Sequence, residues 1–74
     1  MVHVTRLNGS RLVINPDLIE RLEAHPDTVI HLVSGEAYIV KEPMTSVIEA
    51  IVDFRGRVIS AALNSAPANL TVVE

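Results

Sequence analysis

The chain has no cysteine and no tryptophan, and only one tyrosine and one phenylalanine among 74 residues. Without cysteine there is no disulfide framework and no thiolate metal site to staple a chain so near the lower size limit for independent folding. With Tyr38 and Phe54 as the sole aromatics, there is no row of rings on which the bases of a single strand would stack. Positive charge is scarce as well: one lysine (Lys41) and five scattered arginines leave a net charge of −3, the wrong balance for phosphate-backbone binding. No uncharged apolar run approaches the ~18 residues of a membrane span, and no targeting segment is recognisable, which gives a cytoplasmic expectation.

What the chain does have is aliphatic surface. Hydrophobic residues make up 49% and charged residues only 20%. That is more apolar side chain than one small core consumes, so a partner, first of all a second copy of the chain, is expected to cover part of it.

The β-branched stretch "MVHVTRL" gives way to Asn8-Gly9 and then "SRLVI", a hairpin signal of the type I′ kind with Arg6 and Arg11 flanking the turn. "NPDLIERLEA" is ambiguous. Asn15, Pro16 and Asp17 suit a helix start and Leu18, Ile19 and Leu22 share a helical face; a single turn at 16–18 followed by a strand from Ile19 to Ala24 fits equally well. "TVIHLVSGEAYIV" reads as strands 28–33 and 36–40 joined at Ser34-Gly35, with Thr28, Ile30 and Leu32 on one face and Val29, His31 and Val33 on the other. From Met44 the apolar period becomes three and four, predicting an amphipathic helix over about 44–62, with a Ser46/Glu49 capping box or an earlier start at Pro43. Residues 63–74 form a tail in which "LTVV" at 70–73 is either unstructured or an added strand. The whole is one domain, residues 1–74, of α+β class and mainly β. Its expected architecture is a small, strongly bent antiparallel sheet of four or five strands, or a partly closed SH3/Sm-like barrel, followed by the C-terminal amphipathic helix.

Catalytic chemistry finds little support. His3, His25 and His31 lack metal-ligand spacing, and His3 with His31 across a sheet is the only metal pairing to weigh. No serine sits in a nucleophile elbow. The carboxylate pairs Glu20/Glu23 and Glu49/Asp53 read as polar faces, and no phosphate loop, cofactor site or metal site is assigned. The chain is read as no enzyme. Contact surfaces are the better candidates: Val29, His31 and Val33 on the second face of the sheet, or Ile51, Phe54 and Val58 on the helix, whose apolar stripe also takes in Val47, Ile48, Val52 and Ile59. A nucleic-acid alternative would use Arg6, Arg11, Arg21 and Lys41.

Read in order, "VTRLNG" (4–9), "VINPDLIERLEAHPDTVIHLVSGEAYIVKE" (13–42) and "VIEAIVDFR" (47–55) resemble the FlbD/SwrD family of small bacterial flagellar-operon proteins. The resemblance implies a cytoplasmic protein, at most peripheral to the flagellar base, that supports motor torque or swarming without enzymatic activity or cofactor. Its partners would be flagellar motor proteins or their regulators, alongside the second copy of itself that the apolar excess suggests. It also implies a hairpin turning at Pro26-Asp27 and hence a strand before it. Pro43, Thr45 and the apolar stretch 58–74 depart from the family pattern.

Overall fold

Valines two apart at positions 2 and 4 want one buried face, and in the computed structural model, which describes residues 1–65, both are fully buried on strand β1 (Val2–Thr5). Their neighbours His3 and Thr5 point the other way or lie at the margin. β1 pairs antiparallel with β2 (Arg11–Ile14), bringing Val2 opposite Ile14 and Val4 opposite Leu12. The connection is not the two-residue type I′ turn. Arg6 N–H donates to Ser10 O and Gly9 N–H to Arg6 O, both at 2.9 Å, and Gly9 alone takes positive φ (93°). This is a three-residue loop closed by a glycine bulge. Asn8 stays at negative φ because its Oδ1 accepts from both the N–H and the Oγ–H of Ser10, at 2.9 and 2.8 Å. The same loop recurs at 32–36: Leu32 N–H donates to Glu36 O, Gly35 N–H to Leu32 O, and Gly35 has φ 98°.

Asn15 caps a 3-10 turn over Pro16–Leu18, its Oδ1 accepting the Asp17 N–H at 3.0 Å, and the chain then enters strand β3 (Ile19–Glu23). The ambiguous segment is therefore turn plus strand. β3 pairs antiparallel with β4 (Thr28–Leu32), and β4 with β5 (Ala37–Val40). The β3–β4 hairpin turns through residues 24–27, as the Pro26-Asp27 expectation has it, with a cis His25–Pro26 bond. Between Ile19 and Arg21 the register shifts: Ile19 faces Leu32 while Arg21 faces His31, so one extra residue is accommodated on β3. That bulge lets Ile19 and Leu22, three apart, both pack on the core.

The five strands form two antiparallel sheets, β1–β2 and β3–β4–β5, joined at one corner. There Arg6 bridges to Val40, Lys41 N–H donates to Thr5 O at 2.7 Å, and the Glu42 carboxylate accepts from Thr5 N–H and Oγ–H, each at 2.8 Å. Partial burial pushes the Glu42 carboxyl up, but the two Thr5 hydrogen bonds, together with its own backbone N–H and the Arg11 charge, outweigh it and hold the group below its ordinary range. β2 and β3 do not pair, so the bent sheet is not closed into the barrel that was one expectation. The reason is local: the Asn15-capped turn, with Pro16 at its start and lacking an N–H, redirects the chain between them.

Helix α1 (Met44–Ser65) covers the open side. It starts directly after Pro43, whose carbonyl accepts the Val47 N–H at 3.1 Å, so Ser46 lies inside the first turn and the Ser46/Glu49 pair is not a capping box. Val47 enters the core with Val2, Val4, Ile14, Ile30, Leu32 and Val40, and Ala50 and Ile51 pack on its rim. The helix lies mainly against β1 and runs to Ser65, past the expected end at 62. The added strand weighed at 70–73 lies outside the described residues. From Arg55 to Asn64 every described side chain of the helix is exposed. This overhang stretches the molecule to 50 × 21 × 19 Å, with a radius of gyration of 15.5 Å, against about 11 Å for a compact domain of this length.

Candidate functional site

At 100° per residue, α1 places Glu49, Asp53 and Arg57 on one narrow polar line, where Arg57 and Asp53 form an i,i+4 ion pair at 2.7 Å. Most of the remaining circumference is apolar, far wider than the ~100° stripe one packed face requires. Two apolar surfaces result. Met44, Val47, Ala50, Ile51 and Phe54 turn toward the sheet and are buried or half-buried. Ile48, Val52, Ile59 and Leu63 form a second line, rotated by about 130° from the first. Val52, Ile59 and Leu63 are 65%, 61% and 65% exposed, and Ile48 45%.

Of the sequence-derived helix candidates, Ile51 packs on the core and Phe54 is half-buried, while Val58 is exposed. Phe54 and Val58, with Ile59, Asp17 and Arg55, line a cleft of about 350 Å³ where the helix leaves the sheet. Arg55 reaches Asp17 at 3.1 Å and ties the helix to the 3-10 turn. The most exposed positions, Val52, Ile59 and Leu63, were available to sequence reasoning through their i,i+4 and i,i+7 spacing, but spacing alone does not say which part of a wide stripe the sheet takes.

On the sheet, Thr28, Ile30 and Leu32 point inward and are buried, whereas Val29 and His31 are half-buried on the outer face beside their cross-strand neighbours Glu23, Ile39, Arg21 and Ala37. Val33 lies beyond the end of β4, in the hairpin loop, 63% exposed, its N–H donating to Leu18 O. His31 Nε2 sits 2.9 Å from Glu23 Oε1, and Arg21 donates to Glu20 at 3.0 Å and forms an ion pair with Glu23 at 3.6 Å. The His31 contact, with Arg21 adding to it, lowers the Glu23 carboxyl below its ordinary range. His3 pairs with Val13 in the other sheet, so His3 and His31 do not meet. Among the described residues, no three His, Asp or Glu side chains gather in a way that could hold a metal ion.

Three of the four cationic candidates share the corner between the sheets, where Arg11 pairs with Thr5, Arg6 bridges to Val40 and Lys41 N–H donates to Thr5 O, while Arg21 stands apart on β3. Arg6 places its guanidinium 5.0 Å from the centroid of the Tyr38 ring, Arg21 is held by two glutamates, and Arg11 and Lys41 are exposed on β2 and just after β5. Among the described residues, no helix is long and apolar enough to cross a membrane.

These features define a small α+β module, an open bent sheet carrying a projecting helix whose accessible chemistry is mainly aliphatic. The family model FlbD, described as flagellar and swarming motility proteins, matches residues 1–59, and the chain belongs to that family. No curated protein and no solved structure matches it significantly.

Proposed function

We propose that the protein is a non-catalytic accessory of bacterial flagellar motility that works through protein contacts, supporting motor torque or swarming from the cytoplasmic side. Membership in a family of flagellar and swarming motility proteins supplies the process. The observation that carries the contact mechanism is the exposed aliphatic surface of α1, Ile48 and Val52 on one side of Arg55-Gly56 and Ile59 and Leu63 on the other, in a chain this short of charge. Homo-oligomerisation belongs to the same reading, because a surface of this kind is usually covered in a soluble protein. Val29, His31 and Val33 offer a second, more polar contact face.

The reading is tested against nucleic-acid binding with a gel shift on bulk RNA and DNA at low salt. No shift is expected, and the double variant Arg6→Ala/Arg11→Ala should restore motility to a strain lacking the gene as well as the unaltered chain does. A salt-sensitive shift that disappears in that variant, together with lost motility, would replace the contact mechanism with a nucleic-acid one.

A further inference from the structure

The outer line of α1 has a property that selects its occupant. Ile48, Val52, Ile59 and Leu63 are spaced by four, seven and four residues, a pattern that reads the same from either end. We propose that a second copy of this chain docks there, its α1 antiparallel to the first about a two-fold axis between Arg55 and Gly56. This deepens the contact mechanism proposed above and rests on it.

A two-fold interface must be complementary to itself, each residue meeting the partner's symmetry mate. In the antiparallel register Ile48 meets Leu63 of the partner subunit and Val52 meets the partner's Ile59, over a line about 22 Å long. The axis falls beside Gly56, where a Cβ would find nothing within 4 Å, so the two backbones can approach closely. Two charged residues flank the line. Glu49 lies about 40° beyond Leu63 and Arg55 about 20° before Ile48, where Asp17 holds it at 3.1 Å, while Asp53 and Arg57 point farther round the helix. The line points about 130° away from the sheet, which leaves room for a second helix beside the first.

The area is that of a weak dimer. Ile48, Val52, Ile59 and Leu63 are between 45% and 65% exposed. They present on the order of 400 Å² of side chain per copy, and a symmetric pair closes over roughly 900 Å² in total, below the ~1,200 Å² of a standard stable interface, so the dimer is expected to be weak and concentration-dependent. The pairing also accounts for the overhang. The half of α1 that leaves the sheet would lie along the sheet-covering half of its partner, so Ile59 and Leu63, without cover in one chain, gain it from two.

The experiment is the solution mass of the full chain by light scattering over a hundredfold dilution, for the natural sequence and for Ile59→Asp. Cysteine cross-linking accompanies it, using equal amounts of Val52→Cys and Ile59→Cys chains; the natural chain has no cysteine to interfere. The proposal expects twice the chain mass of 8.1 kDa at high concentration, and a dissociation constant raised at least about tenfold by Ile59→Asp. It also expects the mixed 52–59 cross-link to dominate over 52–52 and 59–59. Because Ile59 is 61% exposed, Ile59→Asp should keep the circular dichroism of the natural chain. A monomer at every concentration overturns the proposal. So does a dimer that Ile59→Asp leaves intact, or one that cross-links 52 to 52. A monomer would also remove homo-oligomerisation from the proposed function, but the motility reading fails separately, if loss of the gene leaves swarming and swimming unchanged.

Discussion

Ile30 and Ile59 carry the same side chain in opposite environments, and truncating each to alanine measures how the fold divides its aliphatic residues. Ile30 sits in the central strand of the three-stranded sheet with 0% exposure, between Leu22 and Tyr38, while Ile59 is 61% exposed on the overhang. Removing three buried carbons at about 0.8 kcal/mol each costs about 2.4 kcal/mol in transfer alone. A cavity that collapses only in part adds about 1–2 kcal/mol, placing Ile30→Ala near 4 kcal/mol. A domain of this size has about 5 kcal/mol to lose, so Ile30→Ala should keep only about 1 kcal/mol, with roughly a sixth of the chains unfolded at 25 °C. Ile30→Val removes one carbon and should cost about 1 kcal/mol, lowering Tm by about 4–8 °C. Ile59→Ala should stay within about 0.5 kcal/mol of the natural chain at a concentration low enough to keep it monomeric. Urea and thermal unfolding followed by circular dichroism at fixed dilute concentration give all three values. Loss of less than 1 kcal/mol in Ile30→Ala, or of more than that in Ile59→Ala, would refute the division of the apolar residues between core and surface described above.

The glycines separate by backbone geometry: Gly35→Ala, at φ 98° with open space around it, should cost about 1 kcal/mol through the backbone alone, whereas helical Gly56→Ala should raise monomer stability by about 0.5–1 kcal/mol in the same unfolding assay. Glu42, held below its ordinary range, binds a proton less readily folded than unfolded; its contribution is therefore complete above the unfolded carboxylate range and is lost as pH falls through the lowered folded value. Glu42→Gln should remove about 1 kcal/mol at pH 7 and flatten that acid limb, and an unchanged limb would remove Glu42 from the corner between the sheets. Breaking the exposed Arg55–Asp17 pair with Asp17→Asn should change stability by less than about 0.5 kcal/mol, as expected for an ion pair in solvent.

Much of the fold was legible because short-range chemistry fixes it. The glycines at 9 and 35 marked both three-residue hairpin loops, and the alternation from Thr28 to Leu32 gave the buried face of β4 directly. Residues 16–24 resisted for a specific reason: the bulge between Ile19 and Arg21 restores a shared face to residues three apart, so a strand imitates helical spacing. Asn8 misled in the opposite sense, since Asn-Gly suits a type I′ turn, yet its side chain bonds Ser10 and only the glycine takes positive φ. Barrel closure depends on whether β2 and β3 meet, which no local pattern reports. The apolar excess of α1 was visible as a wide stripe, but which part of it the sheet takes, with Ile51 and Phe54 half-buried there, depends on tertiary geometry. The sheet takes the side of the helix that holds Val47 and Ile51, leaving Val52, Ile59 and Leu63 for others.

The measurement that tests the account most directly is motility rescue in a strain lacking the gene, comparing the natural chain with Ile59→Asp at equal cellular level. The account predicts that the natural chain restores spreading and that Ile59→Asp, folded but with its outer helix line charged, does not. Full rescue by Ile59→Asp would contradict it, since the surface singled out here would then have no part in what the protein does.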